Sequence, residues 1–180
     1  MGDESLSSTV GTKTAQALVL GKTDEYIDCS EPVAANAVIA ELIRQAQHTI
    51  MLLAPVLDMP VFNSAETATR LANFVAQNPR NRAQFLLGDE MLFIRHSPRL
   101  VELFRKFSTF LQVRMLTSEY LHTEEMFLVV DEIGYFRQSA GRPPIVAHMN
   151  SRAQSRQLVR RFNELWEFGE HLRELHPLGL

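Results

Sequence analysis

Apolar positions along the chain switch repeatedly between helical and strand spacing. In CSEPVAANAVIAELIRQAQ, residues 29–47, Val38, Leu42 and Ala46 recur four apart with Ile39 and Ile43 beside them, which predicts a helix. Ser30 is placed to cap it, Glu31 suits its positive end and Pro32 suits its first turn. HTIMLLAP, residues 48–55, is apolar from Ile50, is closed by Pro55 and reads as a buried strand. VLDMPVFNS, residues 56–64, then reads as a loop, just past a strand's C-terminal end, where α/β folds tend to bind ligands. A second helix follows over 65–78 and stops at Asn78-Pro79.

RAQFLLG, residues 82–88, is the next strand, and Ser97-Pro98 opens a third helix with Leu100, Leu103, Phe104 and Phe107 on one face. LQVRML, residues 111–116, returns to strand spacing. EMFLVVDEIGYFRQ, residues 125–138, predicts two strands around a turn at Asp131-Glu132-Ile133-Gly134. PIVAHMN, residues 144–150, predicts another strand, and residues 152–175 a last helix with Leu158, Phe162, Leu165 and Trp166 along one side. Upstream of all this, ALVLG at 17–21 reads as a short strand. Residues 1–15, rich in Ser, Thr and Gly, read as a disordered tail before one domain over 16–180. The alternation predicts an α/β fold: a mixed, mainly parallel sheet with helices on both faces and an antiparallel portion.

Composition narrows the classes. At 180 residues, 46% hydrophobic and 22% charged, the chain can bury an ordinary core. A net charge of -3 argues against a general nucleic-acid binder. Only Lys13, Lys22 and Lys106 are lysines, so the positive groups are nearly all guanidinium, suited to bidentate pairing with carboxylate or phosphate. Cys29 is the single cysteine, which excludes an intrachain disulfide and a cysteine zinc site and predicts a reducing, cytoplasmic setting. The longest apolar run, near Ile50 to Pro55, is too short to cross a bilayer, and the polar start is unlike a secretory signal. His48, His96, His122, His148, His171 and His176 have no metal-ligand spacing, and no dinucleotide or phosphate-loop motif is present, so neither a metal nor a cofactor is expected.

Chemistry concentrates in LHTEEMFLVVDEIGYFRQ, residues 121–138. The order of elements, the FLVVDEIGYFR hairpin and the closing FNELWE helix resemble one half of the phospholipase D superfamily, over about Pro32 to Phe168. In that superfamily a strand carries His-x-Lys, then four residues, then Asp. The resemblance implies a histidine that attacks phosphorus and a lysine that holds the phosphoryl charge. It further implies that two such motifs face each other, so that one half presents its motif face to a second.

This chain departs from that pattern. Anchored on Asp131, the nucleophile position falls on Glu124 and the lysine position on Met126; anchored on His122, the lysine position falls on Glu124 and the aspartate position on Val129. Neither register restores the motif. LVLGKTDEY, RAQFLLGD and RRFNELWEFGEHLREL narrow the resemblance to a bacterial domain family with this degenerate half, often found beside an acetyltransferase domain. It implies an acetyltransferase-bearing partner as one expectation.

The leading expectation is therefore a non-catalytic module that binds a small anionic ligand or a protein partner, with a homodimer as one form and no catalytic residue assigned. Its candidate ligand-binding residues are His122, Glu124, Arg137, His148, Asn150 and Asp58, with Arg152 beside them. The plain alternatives are a loop histidine, solvated carboxylates and a polar rim over a sheet edge. Asp131 is expected to bond its own turn. The rival expectation is a divergent phosphodiesterase or nuclease using His122.

Overall fold

The computed structural model describes residues 17–122, 125–139 and 142–172, with only the backbone of 142 and 143. The expected tail at 1–15 and the end of the last predicted helix lie outside the described residues. In chain order the elements are β1 (Tyr26–Asp28), α1 (Pro32–Gln45), β2 (Thr49–Ala54), a 3-10 turn (Pro60–Asn63), α2 (Ala65–Gln77), β3 (Arg82–Leu87), α3 (Glu90–His96) and α4 (Pro98–Lys106). They continue with β4 (Leu111–Met115), β5 (Met126–Val130), β6 (Gly134–Ser139), β7 (Arg142–His148), α5 (Arg152–Phe168) and β8 (Glu170–His171).

The strands form one eight-stranded sheet in the order β1-β7-β6-β5-β2-β3-β4-β8. The fold is mixed α/β, but the sheet is not mainly parallel. Only β2 with β3 and β3 with β4 pair in parallel, while β1–β7, β2–β5, β4–β8, β5–β6 and β6–β7 are antiparallel. Alternation of strand and helix predicts parallel neighbours only when successive strands lie side by side. Here α1 follows a strand at the far edge of the sheet, and the hairpin strands β5, β6 and β7 fill the space between β1 and β2.

Helices cover both faces. On one face, Ile50 and Leu52 of β2, Phe85 of β3, Val113 of β4, Leu128 of β5 and Phe136 of β6 pack with the buried sides of α1 to α4. On the other, Leu53, Leu86, Phe127, Val129 and Tyr135 pack with Leu158, Phe162, Leu165 and Trp166 of α5. Successive strand residues serve opposite cores, which explains why β5 is apolar at all five positions.

Local chemistry sets the helix starts. Ser64 caps α2 by accepting from Thr67 N–H at 3.0 Å, and Asp89 caps α3 by accepting from Leu92 N–H at 2.8 Å. Ser30 does not cap α1. Its N–H and hydroxyl both donate to Asp28 Oδ1, the hydroxyl at 2.5 Å and the N–H at 2.9 Å, and Glu31 precedes Pro32 without a side-chain cap. Those two bonds hold the Asp28 carboxyl below the usual carboxylate range, the hydroxyl contributing most.

Residues 17–21 form no strand. Gln45 holds them in a turn: its Oε1 accepts from Leu20 N–H at 2.8 Å and its Nε2 donates to Leu18 C=O at 2.6 Å. Gly21 sits at φ 79, a left-handed conformation that glycine adopts without strain, and donates to Met149 C=O at 2.7 Å. The last helix ends at Phe168 rather than near 175, and the chain beyond Gly169 pairs with the edge of β4 as β8.

Cys29 has no exposed surface, and burial, reinforced by the neighbouring Asp28 carboxylate, pushes its thiol up to about 12. The folded chain is expected to resist a thiol-specific disulfide reagent at pH 8 and to release one equivalent in denaturing guanidinium. Reaction of the folded chain at the rate of a free thiol would contradict this packing.

Candidate functional site

The parallel strands β2, β3 and β4 give the sheet an upper end at their C-termini and a lower end at their N-termini. Because β5 is antiparallel to β2, the motif strand begins at the upper end and its turn lies at the lower. Five strand residues separate them, roughly 16 Å. His122 and Asp131 therefore stand at opposite ends of the sheet.

Asp131 has a long-range role. Its Oδ2 accepts from Gln47 N–H and its Oδ1 from His48 and Thr49 N–H, each at 2.8 Å, and its own N–H donates to Thr49 C=O at 3.0 Å. These bonds join the β5–β6 turn to the start of β2, across more than eighty residues of chain. They correct the expectation that Asp131 bonds its own turn. Asp131 and Glu132 both sit at φ 54, with Ile133 N–H donating to Val130 C=O at 3.0 Å, the geometry of a tight hairpin turn. Left-handed backbone costs a non-glycine residue about 1–2 kcal/mol, which the charge-assisted bonds at Asp131 offset.

At the upper end Met126, the lysine position of the motif, is 7% exposed and packs into the core under α1 to α4. Val129, the aspartate position of the other register, is buried on the α5 side. Glu124 lies outside the described residues. Glu125 pairs with Arg137 Nε at 2.8 Å. The pair is half-exposed, so it adds less than about 1 kcal/mol, yet it engages the guanidinium opposite the motif strand. Between β2 and β3 the backbone closes up: Gly88 N–H donates to Pro55 C=O at 3.1 Å, and a Cβ at 88 would lie 2.4 Å from that oxygen. His122 is exposed on the turn after Tyr120. Asp58, also exposed, borders a cavity of about 300 Å³ with Cys29, Ser30, Asn36 and Gln138, on the α1 side of the sheet.

His148 sits at the lower end of β7. Its Nδ1 accepts from Asn150 N–H at 3.1 Å, so the neutral ring carries its proton on Nε2, which lies 3.7 Å from Asp24 Oδ1. The Tyr26 ring meets it edge-on at 5.1 Å and the Tyr135 ring stacks at 6.3 Å. Burial, then the neighbouring Tyr26, raises the Tyr135 phenol above its ordinary range. Tyr135 lies opposite His148 and Arg137 opposite Val146, so Arg137 and His148 share the α5 face two residues apart.

The structure thus brings His148 and Asn150 together, places Arg137 nearby in an ion pair, and leaves His122 and Asp58 apart from them. Tyr135 of β6 completes the His148 cluster with Tyr26 and Asp24, and the latter two were not expected, because β1 is three residues long and carries no strand periodicity of its own. Among the described residues, no group of three or more His, Cys, Asp or Glu could hold a metal ion.

The chain belongs to the family described as Domain of unknown function (DUF7931), matched over residues 31–178. No protein of curated function matches it. Solved structures with similar folds include TrmBL2, an archaeal chromatin protein with a novel mode of DNA binding, at TM-score 0.59 and 18% identity over 83% of this chain and 54% of that one. They also include phosphatidylserine synthase from Haemophilus influenzae Rd KW20, at TM-score 0.53 and 17% identity over 79% of this chain and 38% of that one. NucT from Helicobacter pylori matches at TM-score 0.52 and 9% identity, over 82% of this chain and 98% of that one. The synthase and NucT are phospholipase D-like proteins, and the likeness is one of fold. The chain spans about half of TrmBL2 and less than half of the synthase.

Replacing Asp131 with Ala strands three N–H groups at the start of β2. We expect urea denaturation to show a loss of roughly 2–4 kcal/mol, with Asp131→Asn between that and wild type. An Asp131→Ala chain as stable as wild type would show that water replaces the carboxylate at no cost.

Proposed function

We propose, for a chain of this family with a phospholipase D-like fold, that it is a non-catalytic module that works by binding a protein partner through the upper end of its sheet. The observation that carries this reading is Met126. A thioether packed into the core stands where the superfamily places the cation that steadies a phosphoryl group. Arg137, across from the same strand, is held by Glu125. A missing phosphate clamp costs several kcal/mol in the transition state, or on the order of three powers of ten in rate.

Exposed apolar side chains support the choice of a protein. Val33 at the start of α1, Val56 after β2, Met91 in α3, Leu121 after β4 and Phe168 at the end of α5 all lie at the upper end. Phe168 and Tyr120 form a tilted ring pair at 5.9 Å beside Leu121. A second copy of the chain is the proposed partner, since superfamily members bury this same face against another half.

Hydrolysis of bis-p-nitrophenyl phosphate tests the loss of chemistry. No turnover above buffer is expected from the wild-type chain, and none is expected to be lost in His122→Ala. Turnover abolished by that substitution would establish the phosphodiesterase reading instead. Light scattering tests the partner: the expected particle has twice the 20.5 kDa chain mass and becomes monomeric in a Leu121→Asp, Phe168→Asp double variant. A wild-type chain that is monomeric at high micromolar concentration would exclude the second copy.

A further inference from the structure

Arg114 of β4 is a guanidinium without a carboxylate among the described residues. Its Nη1 donates to the C=O of Trp166 at 2.7 Å, and its central carbon stands 4.6 Å over the Trp166 ring. That carbonyl belongs to the last turn of α5, so a cation is favoured there and one donor is accounted for. Nε is buried and makes no hydrogen bond. A half-buried cation with unused donors is a costly arrangement unless something negative approaches it.

The surroundings are built for that approach. Arg114 lines a cavity of about 320 Å³ at the β4 edge, together with Arg105, Ser108, Gln112, Trp166 and His171, and no carboxylate is among the lining residues. His171 is the β8 partner of Arg114 in the strand register, so both project on the same face. Glu170 is the partner of Met115 and projects on the other. Arg105 and His171 each have an interaction of their own, so Arg114 is the residue of this wall whose donors are not all used. Trp166 stacks on Phe162 and gives the cavity a rigid wall.

We propose that this cavity is a binding site for a small oxyanion, a phosphate or carboxylate group gripped by Arg114, with the Arg105 guanidinium and His171 on the same cavity wall. Ser108 and Gln112 add hydrogen-bonding side chains. The site lies at the β4 edge, away from the motif strand, and stands independently of the upper-end docking surface.

Trp166 is the only tryptophan of the chain and touches the proposed anion-binding group, so it reports occupancy directly. Inorganic pyrophosphate, titrated at constant ionic strength against sodium chloride, is expected to change its fluorescence saturably. Citrate in a parallel titration separates a preference for phosphate from one for carboxylate; either preference supports the site. Arg114→Gln is expected to weaken binding about tenfold or more, as loss of a charged hydrogen-bond donor does. Arg105 is exposed on α4, so Arg105→Gln spares the fold and is expected to weaken binding several-fold. A wild-type chain that shows no saturable change with either anion overturns the proposal. So does a folded Arg114→Gln chain, or an Arg105→Gln chain, that binds as tightly as wild type.

Discussion

The bond between the Asp131 carboxylate and the N–H groups of Gln47, His48 and Thr49 governs the rest of the architecture. It ties the tip of the β5–β6 hairpin to the first residue of β2, which fixes the register in which Ile50 faces Val130 and Leu53 faces Phe127. A strand slipped by one residue would turn every side chain to the wrong face. On β5 that would exchange Met126, Leu128 and Val130 with Phe127 and Val129 between two cores of different shape. The Asp131 carboxylate is thereby a structural fastener between two distant strands.

The two ends of the β5 strand are therefore distinct in what they do for the fold. The Asp131 carboxylate serves the backbone at the lower end, while Met126 opens the same strand at the upper end. Met126 presents an adaptable apolar side chain that fills the core beneath α1 to α4. At the same end Glu125 pairs with Arg137, and Gly88 approaches Pro55, which brings the ends of β2 and β3 into backbone contact.

Much of the fold was legible where periodicity is strong. The helical faces of α1, α2 and α4 and the apolar runs of β2, β3 and β5 were read at nearly their observed bounds, and α5 at its start and buried face, because those spacings answer directly to burial. Strand direction was not legible, since it depends on which strands become neighbours. The seven-residue α3, with only Phe93 buried, is too short to display a period. β1 and β8 exist because β7 and β4 offer them a partner, a reason external to their own residues. Within the candidate site, Met126 was legible by counting from Asp131. The setting of His148 was not, because Tyr26 and Asp24 reach it only through the edge pairing of β1.

That edge pairing has a further consequence. β1 covers β7 only over Val146, Ala147 and His148, and Cys29 N–H extends the cover to Ile145 C=O. The uncovered remainder of β7 runs through Pro143 and Pro144, whose nitrogens carry no hydrogen. A foreign strand arriving there would find a ladder with its rungs removed, so the chain can present a broad sheet in a crowded solution without seeding fibrils along this border.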